Sequence, residues 1–180
     1  MEKSLTQIAL FTALIAILGL IPKIDLVSGV PITAQSLGVM LCGTVLGARK
    51  GALAVLLFLT LVAVGLPLLA GGRGGLGVFA SPTVGYLIGF PIAAYLAGMV
   101  VQRWRAGVGI AAFAGAALGG VLVLNTVGVL GMSVMLDKSL PEAALLAAPF
   151  LVGDSIKAAL AAIVTQSIAK MRPEALLSRA

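Results

Sequence analysis

Asp154 and Lys157 are the residues of this chain best placed to do chemistry. They stand in the segment Pro149-Phe150-Leu151-Val152-Gly153-Asp154-Ser155-Ile156-Lys157, within a long apolar run. On a helix the i,i+3 spacing puts both side chains on one face. A carboxylate and an ammonium in apolar surroundings are costly unless they pair or line a polar site. Two roles follow from that cost: a structural ion pair, or the floor of a site for a polar ligand head. A carboxylate accepts from ligand N–H groups, and an ammonium donates to ligand oxygen. No catalytic companion accompanies the pair, which favours binding over catalysis. The chain has no His and one Cys, so histidine metal sites and histidine general-base chemistry are excluded. No metal and no cofactor are expected. Cys42 has no partner for an intramolecular disulfide and reads as a small packing residue.

Other polar residues are few enough to consider singly. Thr33 and Gln35 flank the start of an apolar segment after Pro31. Thr33 fits an N-cap as well as a ligand contact, and Gln35 projects from the outer end of a membrane helix toward the same cavity. Asn125 is mid-helix, where it meets either ligand or a neighbouring helix. Tyr86 and Phe79 flank Pro82-Thr83 and offer an apolar wall with one hydroxyl handle. The run Gly71-Gly72-Arg73-Gly74-Gly75-Leu76-Gly77 contains the spacing G-x-G-x-x-G. It follows an apolar helix, and the next acid is Asp137, so the dinucleotide reading fails. A plain connector and a lid over an outward-facing pocket remain, with Gly74 as a position of close backbone approach to a ligand. No Lys follows a Gly, so there is no Walker A motif, and any ATP-driven role requires a partner.

The elements that position these residues are membrane helices. Of 180 residues 61% are hydrophobic and 10% are charged, against roughly 25% charged in soluble domains. Most of the surface must face lipid. The net charge of +6 does not mark a nucleic-acid binder, because the cations sit in short clusters between apolar runs rather than in one patch with aromatics. The expected fold is all-α, a single transmembrane domain over 1–180 with six helices near 4–21, 34–47, 51–67, 83–102, 108–135 and 148–170. Turns are expected at Arg49-Lys50-Gly51 and 103–107, and loops at 23–33, 67–82 and 137–142. The first run is too long for a signal h-region and lacks a clean cleavage site, so it reads as a retained helix. Lys3, Arg49, Lys50, Arg103, Arg105, Lys170, Arg172 and Arg179 fall on one side, and Lys23, Arg73 and Lys138 on the other. That asymmetry places both termini in the cytoplasm of a multi-pass cell-membrane protein. Ala9 and Ala13, with Ala16 and Gly19 beyond them, form a small-residue face on the first helix suited to internal packing or a partner.

Several of these segments resemble the BioY family, the biotin-specific substrate-binding (S) components of energy-coupling factor (ECF) transporters. They are Pro31-Ile32-Thr33-Ala34-Gln35, Gly72 to Gly77, Ser81-Pro82-Thr83-Val84-Gly85-Tyr86-Leu87-Ile88-Gly89-Phe90, and Pro149-Phe150 through Gly153-Asp154 to Lys157. The resemblance covers nearly the whole chain. It implies a six-helix S-component fold, capture of biotin from outside, and ATPase and transmembrane coupling subunits that supply energy, the coupling subunit docking on Ala9 and Ala13. Biotin's ureido group has two donors and one acceptor, and its tail is a carboxylate, chemistry that Asp154 and Lys157 match in either orientation. Two other functions stand beside this one. An intramembrane enzyme acting on lipid lacks a nucleophile or metal cluster. An autonomous channel or transporter built from several copies is permitted by the GxxxG spacings at Gly85/Gly89 and Gly115/Gly119.

Overall fold

A computed structural model describes residues 2–179, with side chains from Ser4 onward. Six apolar helices account for most of it: α1 (Glu2–Leu18), α2 (Gln35–Leu46), α3 (Ala48–Ala63), α4 (Val84–Arg103), α5 (108–136) and α6 (Leu140–Met171). The all-α architecture expected from composition is therefore present. By length and composition α4, the run Val108–Met135 and α6 are each sufficient to cross a membrane, while α1 and α2 are shorter apolar helices.

Helix α1 ends at Leu18 rather than 21 and α3 at Ala63 rather than 67, and two further boundaries differ for a local reason. The turn between α2 and α3 is Gly47 alone, at φ 84°, a left-handed conformation that glycine adopts without penalty. Arg49 and Lys50 therefore belong to the first turn of α3 rather than to a turn. The last interhelical loop is shorter than 137–142. Asp137 closes α5 in a left-handed conformation, and Ser139 N-caps α6 in a capping box. The Ser139 backbone N–H and hydroxyl both donate to Glu142 Oε2, at 2.9 and 2.6 Å, so Glu142 is helical. Consequently α6 starts eight residues before 148 and carries Pro149 inside it. The fifth helix is continuous but changes pitch: Val108–Ala116 is α-helical, Ala117–Val123 is a π segment, and Leu124–Leu136 is α-helical again.

Helix α4 is the central post, packed on α2, α3 and α5, and α2 is packed against α6 as well. Small residues let these helices meet backbone to backbone. A Cβ on Gly85 would lie 2.4 Å from the Val127 carbonyl oxygen, and one on Gly119 would lie 2.3 Å from that of Ala93. Gly115 is nearly as tight against the Ala97 carbonyl, at 2.5 Å, while Gly89 faces the Leu124 side chain at 2.9 Å. The GxxxG spacings that permit association of copies are thus taken up by α4–α5 packing within one chain.

Helix α2 has 12 residues, or about 18 Å at ~1.5 Å per residue, well short of a ~30 Å hydrocarbon core. Eleven of its residues, Gln35 and Ser36 included, are buried. A helix covered by protein need not match the lipid. The depth it leaves is filled by 19–34 and 64–83, which fold over its N-terminus. The first of these forms a small antiparallel bridge between Ile24 and Ile32, the second another between Leu69 and Arg73.

The opposite end of the bundle is basic. It collects the ends of α2, α4 and α6 and the starts of α3 and α5. The C-terminal segment folds across it. Ser178 donates its N–H to Val45 O at 2.9 Å and its hydroxyl to Thr44 O at 2.6 Å. The Arg179 guanidinium donates to the carbonyls of Trp104 and Ala106. The Ser178 bonds cap carbonyls in the last turn of α2 that have no partner within their own helix, and the Arg179 bonds hold the α4–α5 connection. Gln7 of α1 donates to Ala175 O, so both ends of the described chain lie at this end.

Candidate functional site

Helix α6 carries Asp154 and Lys157 on one face, as their spacing required, and turns that face to the interior. The carboxylate is almost fully buried, at 3% side-chain exposure, and the Lys157 ammonium lies 3.0 Å from Asp154 Oδ1. Burying a charge in apolar surroundings is tolerated only when its hydrogen bonds are supplied. Here they come from three helices. Ser36 of α2 donates its hydroxyl to Asp154 Oδ1 at 3.0 Å and accepts from Lys157 Nζ at 2.9 Å. Asn125 of α5 donates its amide to Asp154 Oδ2 at 3.0 Å. The same amide nitrogen donates to the Val121 carbonyl at 2.8 Å, inside the π segment. Tyr86 of α4 donates its hydroxyl to Asn125 Oδ1 at 3.3 Å. The Tyr86 ring is tilted by 35° against that of Phe150, with centroids 5.2 Å apart.

The cluster opens on a cavity of about 50 Å³ beneath the two long loops. Thr33, Gln35, Tyr86, Asp154 and Lys157 all line it, so five of the side chains singled out from sequence meet at one place. Asn125 stands behind the cavity wall, bonded to Asp154 and Tyr86. Thr33 lines the cavity, but it is not the N-cap of α2: that position is Ala34, which makes no side-chain cap bond, and the Thr33 hydroxyl accepts the Gln35 N–H at 3.3 Å from one residue further out. Phe79 packs half-buried against the main apolar core, away from the cavity lining. Gly74 is also away from it: a Cβ there would lie 2.2 Å from Leu66 O, so this glycine is needed for the fold of its own loop. Ala9 and Ala13 are exposed on the outside of α1.

Ser36 is the functional candidate that sequence reading missed, although a hydroxyl one residue after Gln35 in an apolar helix was a usable signal. Arg73, Phe90 and Phe150 also line the cavity. Arg73 places a cation at the roof, its Nε donating to Ala70 O at 3.4 Å.

Gln35 holds that roof down. Its amide nitrogen donates to Ile15 O at 3.1 Å and to Leu68 O at 3.0 Å, and its Oε1 accepts the Ala70 N–H at 3.1 Å. Both roof bonds belong to the loop that carries Leu69 and Arg73. The side chain is thus a tie between α1, α2 and the glycine-rich loop.

Known proteins are similar to this chain in sequence and in fold. The family model described as the BioY family matches residues 2–174. A protein of Rhodobacter capsulatus named biotin transporter BioY is 50% identical, the match covering 99% of this chain and all of that one. A protein of the same name from Rhizobium etli is 44% identical over 92% of each chain. A solved structure described as the S-component for biotin from an ECF-type ABC transporter superposes with a TM-score of 0.88 at 32% identity, covering 94% of this chain and 92% of the other.

If Gln35 ties the roof, Gln35→Leu frees the Ala70 N–H. Hydrogen exchange at Ala70 is then expected to accelerate roughly tenfold, equivalent to about 1.4 kcal/mol and within reach of one buried hydrogen bond. Exchange read by mass spectrometry on peptides spanning 66–75 measures it, and unchanged protection there would remove the tie.

Proposed function

This chain belongs to the BioY family, and from that membership we propose that it is the membrane-embedded substrate-binding component of an ECF-type transporter, capturing biotin for uptake driven by ATPase and coupling subunits. It is a transport component and not an enzyme. The observation that carries the proposal is the buried Ser36–Asn125–Asp154–Lys157 cluster, a polar island in an apolar bundle that opens on one roofed cavity.

The hydrogen-bond inventory of the cluster supports a ureido ligand. An ammonium has three N–H donors, and Lys157 directs bonds to Asp154 and Ser36. A carboxylate offers about four lone-pair sites, and Asp154 receives bonds from Ser36, Lys157 and Asn125. One donor on Lys157 and one acceptor position on Asp154 are left for a ligand. A ureido ring, with N–H beside C=O, fits that pair. Tyr86, Phe90 and Phe150 supply apolar wall for the bicyclic ring, and Arg73 at the roof supplies a cation for the carboxylate tail. The cavity of about 50 Å³ is smaller than the ~300–1,000 Å³ typical of small-molecule pockets. Ligand entry therefore requires the roof to lift, and its glycines at positive φ, Gly71, Gly72 and Gly75, are where such motion costs least.

Orientation and docking complete the proposal. The basic end faces the cytoplasm of the cell membrane, with both termini on that side. The exposed Ala9 and Ala13 of α1 receive the coupling subunit, since small side chains let a partner helix approach closely.

Asp154→Ala and Lys157→Ala are each expected to weaken biotin binding by about 2–5 kcal/mol, the cost of leaving a buried charged partner unpaired. Titration calorimetry on purified protein measures it. Wild-type affinity in both variants would reduce the pair to a structural bridge. A reporter active only in the cytoplasm, fused after Ala180, is expected to give signal, and silence from a well-expressed fusion would reverse the orientation. Ala9→Trp combined with Ala13→Trp is expected to keep biotin binding and lose energised uptake in cells co-expressing the coupling and ATPase subunits. Normal uptake would move the docking face elsewhere, and loss of binding would make these alanines internal packing positions.

A further inference from the structure

The basic end of the bundle carries a concavity that the biotin site does not use. It measures about 450 Å³ and lies between the start of α3 and the end of α4, lined by Arg49, Lys50, Arg103, Gln102, Tyr95 and Met99 among others. Three cations converge there without a carboxylate in the lining. Among the described residues the ion pairs are Lys23–Asp25 and Lys157–Asp154, so none of the three is neutralised by a described acid. Like charges held together repel, and the repulsion is relieved when an anion sits among them. The arrangement is also held in place. Gln102 Oε1 accepts the Ala48 N–H at 3.1 Å, tying the cationic first turn of α3 to the cationic last turn of α4. The first turn of a helix adds its own positive potential.

The depth of the pocket identifies the anion's carrier. Tyr95 at its edge and Trp104 one residue beyond Arg103 are 42% and 49% exposed, aromatic side chains of the kind found at headgroup level. From the pocket toward the opposite end, α3 exposes Leu53 and Leu57, and α4 exposes Ile92 and Ile88. A cationic pocket at headgroup depth that continues into an apolar helix face matches a phosphate with acyl chains attached. We propose that Arg49, Lys50 and Arg103 form a binding site for the phosphate of an anionic phospholipid, whose acyl chains lie along the outer face of α3 and α4. A free phosphate would use the cations and leave the apolar continuation unexplained.

Trp104 is the one tryptophan of the chain and reports on this site directly. The protein is reconstituted into phosphatidylcholine bilayers containing a small fraction of either dibrominated phosphatidylglycerol or dibrominated phosphatidylcholine, and quenching of Trp104 fluorescence is followed. With about 1 kcal/mol from each of three basic residues, the anionic quencher is expected to act at a mole fraction more than about tenfold lower than the zwitterionic one. Arg49→Gln/Lys50→Gln/Arg103→Gln is expected to abolish that preference while biotin binding persists, because the biotin site lies at the other end of the bundle. Should the triple variant fail to bind biotin, Lys50→Gln alone is expected to reduce the preference roughly fivefold, the contribution of one basic residue near an anionic surface. Equal quenching by the two lipids, or a preference that survives in the variants, overturns the proposal. Loss of the preference on adding inorganic phosphate, but not chloride at the same ionic strength, would assign the pocket to soluble phosphate and overturn the lipid assignment.

Discussion

A single carboxylate organises the roofed half of this protein. Asp154 is buried in a bundle whose walls are almost wholly apolar, where an unsatisfied charge costs several kcal/mol. Its bonds come from Ser36 on α2, Asn125 on α5 and Lys157 on its own helix. Those three helices must therefore approach at one depth with little freedom to slide. The π segment of α5 ends just before Leu124 and Asn125, both buried. The change of pitch sits beside the polar cluster, and the Asn125 amide also serves the Val121 carbonyl within the π turn.

Such an approach is possible because the helices carry little bulk where they cross. Glycines of α4 and α5 lie against backbone carbonyls across the interface. In lipid, burial of apolar surface between helices gains little, since the tails are equally apolar, and close van der Waals contact does the joining. With α4 as the post, α2 can be short and covered by its neighbours. Its N-terminus then stops partway through the bundle. The loops that fold into the remaining depth form a cavity with a roof, and Gln35 and Ser36 lie at its edge, one tied to the roof and one to the charges.

The two ends of the bundle are chemically distinct. The roofed end balances its few charges, as Lys23 and Asp25 do, and places glycines at positive φ where a loop must bend. The other end gathers cations and ties its helix termini down with the chain's own C-terminal segment. That asymmetry fits the proposed orientation, with solute entry at the roofed end and lipid headgroups and partner subunits at the basic end.

Much of this was legible in the amino-acid order. Hydrophobic runs separated by basic clusters determine a multi-helix membrane protein, because lipid leaves the backbone few alternatives to the helix. The i,i+3 placement of Asp154 and Lys157 determines that they share a face. The start of α6 is legible too, in the Ser139-x-x-Glu142 capping box, although the apolar pattern alone starts the helix near 148. Other features lay beyond any local pattern. Gln35 reaches the cavity as its position suggests, but its bonds to the carbonyls of Ile15 and Leu68 and to the Ala70 N–H, from two distant segments, are visible only in the fold. Phe79 and Gly74 stand in suggestive segments yet face their own loop and core. The glycine spacings of α4 and α5 permit association between copies or packing within one chain, and only the crossing of those helices decides which. Sequence spacing determines which residues share a face of one element. Which faces meet, and whether a polar atom still has a free bond for a ligand, depends on contacts between segments far apart in the chain, and the tertiary structure alone decides them.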